Sequence, residues 1–342
     1  MPQRFCSCLA EDSEVIFLRK SFTLCGAILM AATIAQAGGF KKFAGEFLYN
    51  GVGSRALGMG SAYVAVANDV TAGYWNPAGL AEAEGFQAQF MHSQQFISSV
   101  QYDYLGLSRK FENGATMGLS VLRLGVDDIA DSRNALIGES LQTGYLDYSK
   151  ISYFNTADYA FILSYANRYN DNLSYGANIK LIYRDYSIES ALGIGFDAGV
   201  RYRILPGFIA ALIVRDITTT MMAWSTDEKE FITPSLRPGI SYQYLFESIG
   251  LYLQPSFDVN LMFENRKASA QMHLGPISAD TFWGMEAGYR DVVFLRAGYD
   301  DLERFNGGIG LSITRFAIDY SYTNYDQELG NVHRISFHLK LR

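Results

Sequence analysis

From residue 86 to the end of the chain, apolar and polar residues alternate with a period of two. Tyr175, Ala177, Ile179, Leu181 and Tyr183 are interleaved with Gly176, Asn178, Lys180 and Ile182. Ile194, Phe196, Ala198, Val200, Tyr202 and Ile204 alternate with Gly195, Asp197, Gly199, Arg201 and Arg203. Trp283, Met285, Ala287 and Tyr289 are followed near the C-terminus by Ile335, Phe337, Leu339 and Leu341. Because successive side chains of a strand point to opposite faces, this pattern predicts strands with one apolar and one small or polar row. The expected strands are 86–93, 98–109, 115–126, 158–168, 173–186, 191–204, 208–215, 236–246, 250–264, 282–289, 293–300, 307–313, 316–323 and 332–342. Segment 268–276 also alternates, as an extra hairpin arm would.

About fourteen strands is an even number, and the connections sort by parity. Those after even strands are short: 111–114, 169–172, 205–207, 247–249, 290–292 and 314–315. Those after odd strands are mostly longer: 127–157, 216–235, 265–281, 301–306 and 324–331. Short turns at one end and long loops at the other mark a transmembrane antiparallel barrel with periplasmic turns. A soluble sandwich would need a second layer to cover so many apolar rows, and no set of amphipathic helices is visible. In a barrel the apolar row faces lipid. The expected architecture is an all-β, outer-membrane barrel of about fourteen strands over 86–342, with lipid as its first partner.

Ahead of the strands lies GVGSRALGMGSAYVAVANDVTAGYWNPAGL, residues 51–80, whose only charges are Arg55 and Asp69. Gly58 and Gly60 permit tight turns. Asn76 suits a helix N-cap, and Pro77 suits the first helical position before Ala78 and Gly79. The glycines lack the Gly-Lys-Ser/Thr ending of a phosphate-binding loop, and no strand precedes them, so nucleotide binding is not expected. The expectation is a plug: residues 38–85 fold into the lumen of the barrel.

Composition agrees with a surface that is largely out of water. Charged residues make up 18% of the 342, against about 25% for an average soluble domain, and the chain holds 23 Tyr and 23 Phe. A net charge of −7 leaves no basic footprint for nucleic acid. Cys6, Cys8 and Cys25 all precede residue 38, in a stretch that reads as an N-terminal extension and secretory signal (1–37) cleaved after Ala37. Beyond it no apolar run is long enough for a membrane-spanning helix.

The short turns set a register for the inner row. A turn at 290–292 places Tyr289 opposite Val293 and Glu286 opposite Arg296. A loop at 187–190 places Leu181 opposite Phe196 and Lys180 opposite Asp197. Such pairs read either as ordinary wall salt bridges or as a polar lumen that docks the plug. His92, His273, His333 and His338 show no metal-ligand spacing, and no Ser/His/Asp set stands out, so neither enzyme nor metal nor cofactor is expected. Loop 216–235 carries Met221, Met222 and Trp224 before Asp227-Glu228-Lys229-Glu230. It reads as a partner-binding loop or as a lid folded back over the mouth.

The 51–80 block, extended through Ala81 and Glu82, resembles the N-terminal signature of PorV/PorQ-family outer-membrane proteins. SKISYFNTADYAFILSYANRYNDNLSYGANIKLIYRDY, GMEAGYRDVVFLRAGYD and HRISFHLKLR resemble later blocks of that family. The family is similar in turn to FadL-type transporters, whose N-terminal segment folds into a fourteen-stranded barrel and carries an Asn-Pro-Ala motif, matched by Asn76, Pro77 and Ala78. Two departures are Ser61, where family members often have Gly, and the Leu341-Arg342 ending, where an aromatic is common. The resemblance implies a bacterial outer-membrane protein of type IX secretion that binds secreted cargo or secretion-machinery partners at the surface. The alternative it implies is passive transport of a hydrophobic small-molecule ligand.

Overall fold

The computed structural model describes residues 45–96, 99–137, 144–187, 189–266, 269–325 and 330–341. The proposed signal and the start of the lead-in lie outside the described residues. Fourteen strands form the wall: β1 (Phe86–Gln95), β2 (Val100–Lys110), β3 (Thr116–Asp131), β4 (Ser152–Arg168), β5 (Leu173–Asp185), β6 (Ser190–Leu205) and β7 (Phe208–Arg215). They continue as β8 (Ser235–Tyr242), β9 (Leu251–Met262), β10 (Ile277–Tyr289), β11 (Val293–Tyr299), β12 (Phe305–Ile313), β13 (Phe316–Thr323) and β14 (Val332–Leu341). Each pairs antiparallel with the next, and β14 pairs with β1 from Phe86↔Leu341 to Gln94↔His333, closing the sheet. Closure satisfies every edge strand, which an open sheet in hydrocarbon could not do.

The two rows of each strand separate cleanly. Phe90, Leu163, Ile179, Trp283, Leu295 and Phe337 point outward and are 45–58% exposed. Tyrosines sit at both ends of this belt: Tyr159, Tyr183 and Tyr320 towards the long loops, Tyr202, Tyr242 and Tyr289 towards the short turns. The inner row is mostly small, polar or charged, and it is buried: Ser120, Asn178, Asp258, Glu286, Ser321 and Ser336 are among its members, while Tyr102, Leu122, Ile162 and Ile182 are apolar and pack on the N-terminal segment. An apolar row in contact with solvent-sized space and a polar row sealed inside is the inverse of a soluble core.

Three departures from the sequence pattern matter. β3 and β4 run on to Asp131 and back to Ser152, with a one-residue bulge between Val126 and Ile129 at Asp128. There both faces leave the apolar belt and the alternation fades, although pairing continues. β7 is short, and the hairpin Thr220–Trp224/Lys229–Ile232 takes its place against β6, with Met222 opposite Gly193. Between β8 and β9 the register is constant, yet the rungs at Arg237 and Pro238, opposite Asn260 and Val259, are missing. Pro238 brings no N–H to a ladder. The expected extra arm is present as Met272–Leu274, folded against the start of β10.

Candidate functional site

Residues 45–85 lie inside the wall as short turns of helix, Ser54–Gly58, Ala72–Trp75 and Pro77–Glu82 among them. Tyr63, Trp75 and Leu80 are fully buried. Asn76 adopts the extended backbone of an N-cap, and its Oδ1 accepts the Ala78 N–H at 3.1 Å. Its Nδ2 donates to the Val64 carbonyl within the segment and to the Val200 carbonyl of β6, at 3.3 and 3.2 Å. One side chain thus starts a helix, closes the segment on itself and ties it to the wall. Gly58 abuts Gly308, and Gly79 abuts the Ala67 carbonyl. Gly60 is in the left-handed region (φ 59), with Tyr299 backbone so near that a Cβ would lie 2.5 Å from it. Ser61 is also left-handed (φ 65), which is the physical reason glycine suits that position.

Arg55 is the main electrostatic tether. Its Nε and Nη2 donate to the two oxygens of Glu286 at 2.8 Å each, a forked pair. Glu286 also accepts from Arg296 Nε at 2.6 Å and from the Tyr252 hydroxyl at 2.8 Å. Arg296 passes on to Asp319 at 2.6 Å. The register places Glu286 opposite Arg296, as the 290–292 turn predicts, and Tyr289 opposite Val293. The missing member of this group in the sequence reading is Arg55, the only cation in a 30-residue stretch of small apolar residues. Asp69, the only anion there, lies 3.6 Å from Arg55. Burial raises the Asp69 pKa, but the charges of His338 and Arg55 and a hydrogen bond from Thr71 outweigh it and hold it below the usual carboxylate value.

The Lys180 register needs correction. Lys180 is opposite Gly195, and Asp197 is opposite Asn178; Leu181 faces Ile194, and Ile179 faces Phe196. The loop is 186–189, one residue earlier, so every pair slides by two and no side chain changes face. Lys180 still reaches Asp197 diagonally at 2.8 Å, and it reaches Asp216 at 2.7 Å. Other tethers surround the segment: Asp258 accepts the Tyr63 and Val64 N–H groups at 2.9 and 3.0 Å, Asn178 donates to the Gly73 carbonyl, and Glu82 pairs with Arg168 and Arg201.

The loop of Met221, Met222 and Trp224, expected as a partner-binding loop or a lid folded back over the mouth, forms a hairpin. Hairpin alternation sends Met221 outward, 45% exposed, and buries Met222 completely in the lumen. Trp224 packs on Tyr186 with ring centroids 5.5 Å apart. The three do not form one exposed face.

Above the segment, at the long-loop end, the inner rows of β3 and β4 change character. Leu124, Val126, Ile129 and Phe154, with Thr156, line a pocket of ≈ 490 Å³, closed at one end by Asp158, Tyr186 and Glu189. The buried cluster of Phe47, Leu122, Ile162, Ile182, Met222 and Ile232 includes Leu124 at its edge, so the pocket and the buried segment share apolar packing. Among the described residues no group of acids, histidines or cysteines could hold a metal ion.

No protein-family model matches this sequence, and no curated protein matches it. Solved structures do. The Ralstonia pickettii toluene transporter TbuX is similar over 86% of this chain and 100% of its own, at 13% identity and a TM-score of 0.53. The P. putida toluene transporter TodX is similar over 85% and 99%, at 11% identity and 0.55, and a Pseudomonas aeruginosa FadL homologue over 85% and 98%, at 11% and 0.51. The likeness is one of fold: a closed antiparallel barrel of the FadL-like kind. The FadL-like fold includes the fourteen-stranded closed wall, and its lumen here holds the N-terminal segment.

Proposed function

We propose that this chain is a passive transporter of hydrophobic small molecules across the bacterial outer membrane, with residues 51–80 as its hatch. The observation that carries this reading is the apolar pocket of ≈ 490 Å³ at the loop end of the lumen, whose Leu124 packs against the buried cluster that includes hatch residues. A transporter of this kind needs an apolar waiting site outside the hatch and a weakness in the wall. The missing rungs at Pro238 supply the second. The toluene transporters it resembles in fold support the same reading.

Uptake of a monoaromatic hydrocarbon by cells carrying the chain, against cells carrying an empty vector, tests it. Val126→Arg and Phe154→Arg put a charge into the pocket and are expected to reduce uptake about tenfold, since an isolated buried charge repels an apolar ligand. Uptake equal to the empty vector, or unchanged by both substitutions, contradicts the reading. The secretion reading rests on the PorV/PorQ resemblance alone. It asked for an exposed apolar loop, and only Met221 of its three candidates faces outward. A pull-down with and without 216–235 tests it: loss of a secreted partner on deletion would restore it.

A further inference from the structure

Resting on the transport reading, we propose that the mouth pocket selects apolar molecules carrying one positive charge and disfavours their carboxylate analogues. The pocket has an apolar body and an acidic end. Asp158 takes Arg184 through both oxygens, at 2.8 and 3.2 Å, so those two charges cancel. Glu189, half-buried in the lining, has no side-chain partner among the described residues. Glu230 adds a third carboxylate, 3.9 Å from the same arginine. It is opposite the inward-facing Met222, so the hairpin turns Glu230 into the mouth and sends Lys229, opposite Ala223, outward.

Among the described residues, the cation beside these carboxylates is Arg184, and it is already engaged. Arg184 donates to Asp158 and to the Tyr186 hydroxyl, and its guanidinium lies over the rings of Tyr186 and Trp224 at 5.0 and 5.6 Å. Asp158 and Glu230 therefore share one arginine that is already engaged on its edges and its faces, and Glu189 is left uncompensated in the lining. A carboxylate head entering here would meet like charge in a partly desolvated site, where repulsion is several times stronger than in water. An ammonium head would meet Glu189, while its hydrocarbon part would lie on Val126, Ile129 and Phe154.

The test uses three ligands with one apolar body: 4-butylbenzylamine, 4-butylbenzyl alcohol and 4-butylbenzoate. Each displaces a neutral naphthalene fluorophore from the full chain in a non-ionic detergent at neutral pH. The amine is expected to bind about tenfold more tightly than the benzoate, with the alcohol between them, as one partly screened charge interaction allows. Glu189→Gln is expected to remove most of the advantage of the amine over the alcohol, and an unchanged heat-induced shift in gel mobility shows that the variant is folded. Benzoate binding as tightly as the amine, or an amine affinity indifferent to Glu189→Gln, overturns the charge selection and leaves the transport reading standing. Failure of the fluorophore and all three ligands to bind removes both.

Discussion

The lower lumen and the mouth are made by the same strands, yet their inner walls differ. In the lower lumen the inner row is largely glycine, serine and paired charge, with Leu122, Ile162 and Ile182 packed on the apolar side chains of the segment. Gly298 and Gly284 press on the backbone of Met59, and Gly176 presses on Pro77, so closely that a Cβ would overlap it. Glu286, Asp258 and Asn178 meet the segment with hydrogen bonds. In the mouth, two or three residues further along β3 and β4, the inner row becomes Leu124, Val126, Ile129 and Phe154 and borders open space. Where the chain fills its own lumen, the wall supplies small residues for close approach and polar groups to satisfy the peptide groups of the segment. At this stretch of β3 and β4, where none of the described residues fills the space, the wall is apolar. The change marks the boundary between a region that holds the N-terminal segment and one that borders apolar open space.

That contrast can be broken most forcibly at Glu286. Glu286→Ala leaves Arg55 and Arg296 buried without their shared acceptor and is expected to cost about 3–5 kcal/mol. The loss reads as a lower temperature for the heat-induced shift in gel mobility, with residues 45–85 becoming open to protease. Gly298→Val comes next. Its Cβ would lie 2.3 Å from the Met59 carbonyl carbon, and overpacking of this kind costs about 1–3 kcal/mol. Ala297→Val, one residue away on the outer face, is expected to change stability by less than about 0.5 kcal/mol. Equal effects from the two would mean that the segment does not press on the wall.

Ser61→Gly sharpens the comparison in the other direction. It relieves a left-handed serine and is expected to stabilise the protein by about 1 kcal/mol, read by the same thermal shift. The smallest effect is that of acid. The pKa of Asp69 is depressed in the folded state, so its stabilisation is complete above the unfolded value of about 3.9 and is lost as pH falls through the lower folded value. The thermal shift should therefore fall more steeply in acid for the natural chain than for Asp69→Asn, and identical slopes would contradict the coupling of Asp69 to Arg55.

Much of the wall was legible because alternation over fourteen strands is long and the turns are short. The pair Glu286–Arg296 follows from a three-residue turn with few alternatives. Lys180 did not follow, because β6 presents Gly193, Gly195 and Gly199 on its inner face, and glycines constrain a register by steps of two very little. The pocket could not be read at all. Ile129 and Phe154 lie beyond a bulge, in strand ends that leave the apolar belt, so their sequence looks like loop. The hairpin at Thr220–Trp224 was hidden for a related reason: Met221 and Met222 read as one apolar cluster until pairing with β6 sends them to opposite sides.

The central claim, that the apolar row meets hydrocarbon and the polar row encloses the N-terminal segment, is tested most directly along β14. Spin labels placed singly from 332 to 341, in lipid bilayers, report collision with oxygen, which dissolves in hydrocarbon, and with a water-soluble nickel reagent. The account predicts high oxygen access at Ile335, Phe337 and Leu339 and little access to either reagent at Arg334, Ser336 and His338, in a pattern of period two. Nickel access at Phe337, or oxygen access at Ser336, would contradict it.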